Sequence, residues 1–285
     1  SYMFIILCFY HKCKLYSFIH FRYTLFSFNA SGGNFMQISC IPDHFRILDR
    51  AALKWIALIS MLIDHTALVV LFYGILCGSN TFATTYSTAL YGLYRLMRSV
   101  GRIAFPLFLF MLVQGFKYTH DRKSYGRHLL IFALLSEIPF NLTVGQSLLN
   151  PGYQNVMWTL FFGFLMMCAL EKLEQTTLHP LLRAVLCLLV IAATALIAFL
   201  CKTDYSYKGI LALALMYIFR YDRNLTLLAT AVAFCWEPAA IFSIVPLALY
   251  NDQKGHAPKN LFYWFYPVHL LVLYTLEQLL LHLTF

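Results

Sequence analysis

Apolar residues come in runs along this chain, and short polar punctuation rather than long polar stretches separates the runs. They cover residues 51–77, 99–118, 127–144, 154–170, 181–201, 207–219, 225–236, 238–250 and 261–283. Most approach the ~20 apolar residues that carry an α-helix across a bilayer core. They are continuous rather than alternating, which argues against the period-two pattern of an outer-membrane barrel. The pattern predicts an all-α, polytopic transmembrane bundle of about nine segments. The seventh and eighth runs are short and meet at "WEP", Trp236 to Pro238. They form either a tight helical hairpin or one kinked helix, and the kinked helix would leave eight segments.

Composition agrees with a membrane protein: 61% of the 285 residues are apolar and 12% charged, against ~25% charged in a soluble domain. Lysine and arginine outnumber aspartate and glutamate 21 to 12. Such an excess can signal nucleic acid, but here the basic residues sit in short loops, where membrane orientation accounts for them. With the N-terminal side cytoplasmic, thirteen fall in inside loops and only Arg95, Arg98, Lys202 and Lys208 in outside loops. That bias favours the hairpin, because a single helix over 225–250 would put Lys254 and Lys259 outside. The lipid bilayer is the expected partner, nucleic acid is not, and the expected location is the plasma (inner) membrane. The eight cysteines include no CxxC and lie mostly in apolar surroundings, so they read as helix-packing residues, and no metal is expected.

Residues 1–45 read as an N-terminal extension, and 46–285 as a single transmembrane domain. The first 35 residues are crowded with aromatics, contain no acid and show no A-x-A-like cleavage site. Met36 is the expected functional start, with a peripheral anchor as the other reading.

Within the apolar runs a few polar residues stand out. "LKWIALISMLIDHTALVV", residues 53–70, carries Asp64 and His65 near its middle. An acid at the centre of a lone membrane helix costs about 2.5–3.5 kcal/mol, so it needs a partner or a job. Lys54 and His65 are eleven residues apart, which on an α-helix returns to within about 20° of the same face, roughly 16 Å further along. A cation at the rim and an imidazole deep on the same stripe suit a long anionic donor, and Arg50 and Lys117 join Lys54 at that rim. The imidazole can take a proton from an attacking group near neutral pH. Asp64 lies about 100° around the helix from His65 and is expected to meet Arg102 of the second helix. Gly101 lets another backbone approach there, Pro106 loosens the helix just beyond, and Arg102 can bind a carboxylate or phosphate bidentately. Glu137, Asn155, Glu237 and His269 are the remaining intramembrane polar candidates.

Six stretches carry a resemblance, in order: "LKWIALISMLIDH", "GRIAFPLFLFMLVQGFKYT", "SEIPF", "NVMWTL", "LALYN" and "YWFYPVHLL". From about residue 50 to 283 the chain resembles the TraX family of polytopic membrane proteins, named for conjugal pilus assembly. The resemblance implies N-acetylation of a pilin amino terminus, with acetyl-coenzyme A as donor. The first helix is also similar to the broader membrane acyltransferase superfamily, in which a basic residue and a histidine flank ten residues. Lys54 stands where arginine is commoner, and His65 matches the histidine. The expectation is an acetyl-coenzyme A-dependent membrane acyltransferase with a pilin or another envelope component as acceptor. In it His65, Asp64, Arg102 and His269 carry the chemistry, and Lys54, Arg50 and Lys117 hold the donor. A proton-coupled carrier is the competing reading, although carriers more often show internal duplication. A non-catalytic membrane scaffold is the other.

Overall fold

Short acceptor side chains mark the helix starts. Asp49 accepts from Ala52 N (2.7 Å), Asp121 from Ser124 N (2.9 Å), Asn155 from Met157 N (3.0 Å) and Asp222 from Leu225 N (2.9 Å). Each satisfies a backbone donor that the first helical turn leaves open. The computed structural model describes residues 42–77, 81–256 and 258–283. Met36 and the expected extension up to residue 41 lie outside the described residues.

Helix α1, Arg50–Thr66, continues as a π-helix over Ala67–Leu76. Next come α2 (Thr81–Gly101), α3 (Ala104–Tyr118), α4 (Arg122–Leu135), α5 (Glu137–Thr143), α6 (Val156–Glu174), α7 (Pro180–Leu200) and α8 (Ser206–Ile218). The chain then forms α9 (Arg223–Ala233), a 3-10 turn (Pro238–Ser243), α10 (Ile244–Ala248) and α11 (Lys259–Leu283). The protein is thus an all-α bundle. Among the described residues, five stretches are long and apolar enough to cross a bilayer: Arg50–Leu76, Ser87–Tyr118, Val156–Glu174, Pro180–Leu200 and Phe262–His282.

Ion pairs define one end of the bundle. Arg122 with Glu171 (3.1 Å) and Arg220 with Glu174 (2.7 Å) bring the start of α4 to the ends of α6 and α8. At the other end Gln154 N donates to Lys202 O (3.0 Å), and Asp204 N to Gln154 O (2.9 Å), joining the start of α6 to the α7–α8 loop. Helices α1, α4, α7 and α11 therefore leave the basic end, and α2–α3, α6 and α8 return to it. Small residues allow close crossings in lipid: a Cβ on Gly163 of α6 would lie 2.2 Å from Leu213 Cδ2 of α8. The larger apolar core is built from α1, α3, α4, α5, α6, α7, α8 and α11, and a smaller one joins α1 and α3 to the α9–α10 region.

Two expectations change. The polar-rich stretch before residue 99, read as an outside loop holding Arg95 and Arg98, is helical: α2 runs through both to Gly101. Its threonines, serines and glycine are poor helix formers in isolation, and packing against α1 and its π-helical continuation overrides them. The boundary at 99–118 is instead a break at Arg102–Ile103 within a longer path. Pro106 accounts for it, because a proline has no N–H for Arg102 O and its ring clashes with that carbonyl.

The 225–250 region is a hairpin. Arg223, at the start of α9, donates to Ala248 O (3.0 Å) and to Asp252 Oδ2 (3.2 Å), so both arms end together. Leu48 N donates to Leu249 O (3.0 Å), Asn251 N to Leu48 O (2.8 Å) and Arg50 N to Gln253 O (2.9 Å), which fixes that meeting point beside the start of α1. Eleven residues of α9 rise only about 16 Å at 1.5 Å each, half of a ~30 Å core. The hairpin therefore enters from the basic end and turns back at mid-depth. In a background without native cysteines, Tyr221→Cys and Gln253→Cys are both expected to react with an impermeant thiol reagent from the cytoplasmic side. Labelling of the two from opposite sides would refute the hairpin.

Candidate functional site

His65, on the last turn of α1 before the π-helix, and His269, on α11, meet across the bundle. His65 Nδ1 lies 2.7 Å from His269 Nε2, and the rings lie edge to edge, with 8° between their planes and centroids 5.0 Å apart. His269 Nδ1 lies 2.7 Å from Phe265 O. A carbonyl only accepts, so His269 Nδ1 carries the hydrogen, and in the neutral ring Nε2 is then the acceptor. His65 Nδ1 must therefore donate to it, which leaves the lone pair on His65 Nε2. No hydrogen-bond partner takes that lone pair among the described residues. A backbone carbonyl thus sets the tautomer of the deep imidazole through a second imidazole, the orienting arrangement a general base needs.

Asp64 is paired as expected, but with a different arginine. Arg98 Nη1 lies 2.5 Å from Asp64 Oδ2, so the anticipated Asp64–Arg102 pair is replaced by Asp64–Arg98. The reason is helical: α2 continues through residue 98, one turn nearer the level of Asp64 on the adjacent antiparallel helix. Gly101 permits the approach, since a Cβ there would sit 2.2 Å from Asp64 Cβ.

Arg102 is left with loose partners. Its Nε is 3.7 Å from Glu237 Oε2 at the tip of the hairpin, and its Nη1 is 3.5 Å from the Tyr205 hydroxyl. Two long contacts use little of a five-donor fork, so Arg102 can still bind an incoming oxygen. Tyr205 is held firmly: its ring stacks on Phe105 at 3.6 Å and 6°. Lys202 (φ 53°), Tyr205 (φ 60°) and Ser206 (φ 45°) around it are left-handed without being glycine. Such residues cost of order 1–3 kcal/mol each and persist where the surroundings over-determine them. Asp204 anchors the loop by accepting from Tyr153 Oη (2.6 Å) and Tyr205 N (2.9 Å). Burial pushes the Asp204 carboxyl up, and those two hydrogen bonds pull it the other way.

Asn155 and Glu137 meet elsewhere. Asn155 Nδ2 donates to Ala133 O (2.9 Å) and to Glu137 Oε2 (2.5 Å), and Trp158 Nε1 donates to the same carboxylate oxygen (3.0 Å). This ties the α4–α5 break to the start of α6 and reads as a structural knot.

Lys54 and His65 do share a stripe. Lys54 Nζ lies 4.6 Å from the Phe262 ring centroid, so both side chains face α11. Between them, however, Leu58 and Met61 pack in one core with Tyr266 and Leu270, so the stripe is filled. Arg50 and Lys117 lie apart from Lys54: the Arg50 guanidinium is 4.7 Å from the Tyr118 ring, and Lys117 Nζ lies 5.4 Å from Tyr118 and 5.3 Å from Tyr221. Arg98, Asp204 and Tyr205 were absent from the expected set. Only Arg98 had a sequence signal: it precedes Arg102 by four residues, one helical turn.

A family model described as TraX protein matches residues 49–277. A curated relative, the probable fimbrial assembly protein FimC of serogroup H1 from Dichelobacter nodosus, is 27% identical over 259 residues, covering 80% of this chain and 95% of its own. No solved structure matches the chain.

Proposed function

The chain belongs to the TraX family, and from that premise we propose that it is an integral-membrane acyltransferase moving acetyl from acetyl-coenzyme A to an amine. The observation that carries this reading is the imidazole pair, in which His65 Nε2 is left as a base by a tautomer fixed two groups away. In this mechanism the amine nitrogen attacks the thioester carbonyl carbon. Arg102 stabilises the oxygen that becomes anionic, the role of preorganised donors in acyl transfer. His65 Nε2 takes the proton that the amine loses as the N–C bond forms. The C–S bond then breaks and the proton passes to the departing coenzyme A thiolate. Asp64 and Arg98 hold the wall on which His65 sits.

His65 lies fifteen residues along α1 from Arg50, about 22 Å from the basic end at 1.5 Å per residue. That depth favours an acceptor arriving from the opposite end while the donor stays at the basic one. The fimbrial assembly name of the relative supports a pilin amino terminus as that acceptor. The purified protein in lipid nanodiscs, given acetyl-coenzyme A and a pilin N-terminal peptide, is expected to release free coenzyme A and acetylate the peptide amine. Release at the background rate with peptides and small envelope amines alike would overturn the reading.

A further inference from the structure

At the basic end a cavity of about 200 Å³ opens between α3, the end of α8 and the base of the hairpin. Lys117, Arg220 and Arg223 line it, with Gln114 and Phe110 at its inner wall and Tyr118, Tyr221 and Tyr250 among its aromatics. Its cations are held in place by the fold. Arg220 is pinned by Glu174 at 2.7 Å and lies 3.8 Å from the Tyr217 ring, and Arg223 is clamped on Ala248 O (3.0 Å) and Asp252. Counting Arg50 at the rim, four cations stand against the two acids Glu174 and Asp252. The site therefore selects anions.

Gln114 makes the choice narrower. It is only 6% exposed, and its Oε1 is buried without a hydrogen-bond partner. A buried acceptor left unmet is costly, so a ligand able to donate to it gains by binding. An organic phosphate with a hydroxyl or amide next to it can meet this acceptor while its phosphate oxygens all stay on the cations, whereas a bare phosphate or pyrophosphate must turn its one remaining P–OH away from them to do so. Size points the same way. Ligand sites that enclose a whole drug-sized molecule run about 300–1,000 Å³, so 200 Å³ takes one end only. Just outside, the exposed Tyr118 and Tyr221 rings flank Lys117 and offer faces on which a base can stack.

We propose that this cavity binds the diphosphate of a nucleotide-bearing cosubstrate, with the phosphates on Lys117, Arg220 and Arg223, a neighbouring hydroxyl or amide on Gln114, and the base against Tyr118 and Tyr221. The proposal rests on the acyl-transfer reading for the identity of that cosubstrate, coenzyme A. It moves the donor's anchoring point from the filled Lys54 stripe to the other side of α1.

Binding is measured directly on full-length His65→Ala protein in nanodiscs without acceptor, so that turnover plays no part. The probes are coenzyme A, ADP, inorganic pyrophosphate and short-chain phosphatidylglycerol. Coenzyme A is expected to bind, pyrophosphate at least tenfold more weakly, and Gln114→Leu and the rim variant Lys117→Ala are each expected to weaken coenzyme A roughly tenfold to a hundredfold. Unchanged coenzyme A affinity in both variants, with acetyl transfer intact in the His65 protein, would overturn the site and leave the enzyme reading standing. Pocket-dependent binding of ADP without any of coenzyme A would keep a nucleotide site and remove the acyl donor. Binding confined to phosphatidylglycerol would make the cavity a lipid headgroup site and overturn the proposal.

Discussion

His65→Ala is expected to lower acetyl transfer by about 10²–10⁴-fold, the contribution of a general base, while the protein inserts, folds and still binds coenzyme A. The loss should fall on kcat, because His65 meets the acceptor's proton and not the donor's phosphates. His269→Phe keeps a ring on α11 but cannot accept from His65 Nδ1–H, so the tautomer is no longer fixed. A smaller fall is expected, with His269→Gln, whose amide oxygen can accept, recovering part of it. Coenzyme A release under saturating donor checks all three. A His65→Ala protein with near-normal turnover would remove the base from the mechanism. Equal losses for His269→Phe and His269→Gln would show that the pair serves packing rather than tautomer selection.

The other large effect is on stability. Asp64→Asn or Arg98→Gln alone leaves one charge of a mostly buried pair without its partner, which typically costs about 3–5 kcal/mol. The two side chains are 2.5 Å apart and 14% and 21% exposed, so each single substitution should lower the thermal midpoint in detergent sharply. The double variant should lose less than the sum. Arg102→Gln combined with Asp64→Asn serves as the comparison and should show a smaller departure from additivity, because Arg102 contacts Glu237 and Tyr205 and reaches Asp64 only by charge attraction without a direct bond. Additive losses for Asp64 with Arg98 would refute the pair.

The all-α bundle, the depth of Asp64 and His65 and the shared face of Lys54 and His65 were legible because they follow from run length and the 3.6-residue turn. Basic-residue counting also favoured the hairpin over 225–250, as Arg220 and Arg223 before it and Lys254 and Lys259 after it could not be placed on one side otherwise. What stayed hidden has a common cause, which is that tertiary partners decide it. Thr81–Gly101 has the composition of a loop until α1 packs against it, so Arg98 looked like surface charge and Arg102 inherited its partner. The His65–His269 contact spans 204 residues of sequence, and no periodicity reports such a pairing. Asp204 and Tyr205 sit in a loop whose left-handed residues include no glycine to announce the turn. Arg220 and Arg223 were legible as loop cations, and only the fold shows that the end of α8 and the hairpin base bring them beside Lys117 and Gln114.

The hairpin also sets an order of events during synthesis. Its arms are too short to be taken up as ordinary spans, and its base is stitched to Leu48 and Arg50 by backbone hydrogen bonds from residues 249–253. The base of α1 therefore waits for some two hundred further residues before its edge is closed, and the imidazole pair waits longer still, for α11. Until α11 emerges, Asp64 can already have Arg98, but His65 has no tautomer-setting partner. The docking of α11 is thus a single late event, and it is the one that completes the imidazole pair.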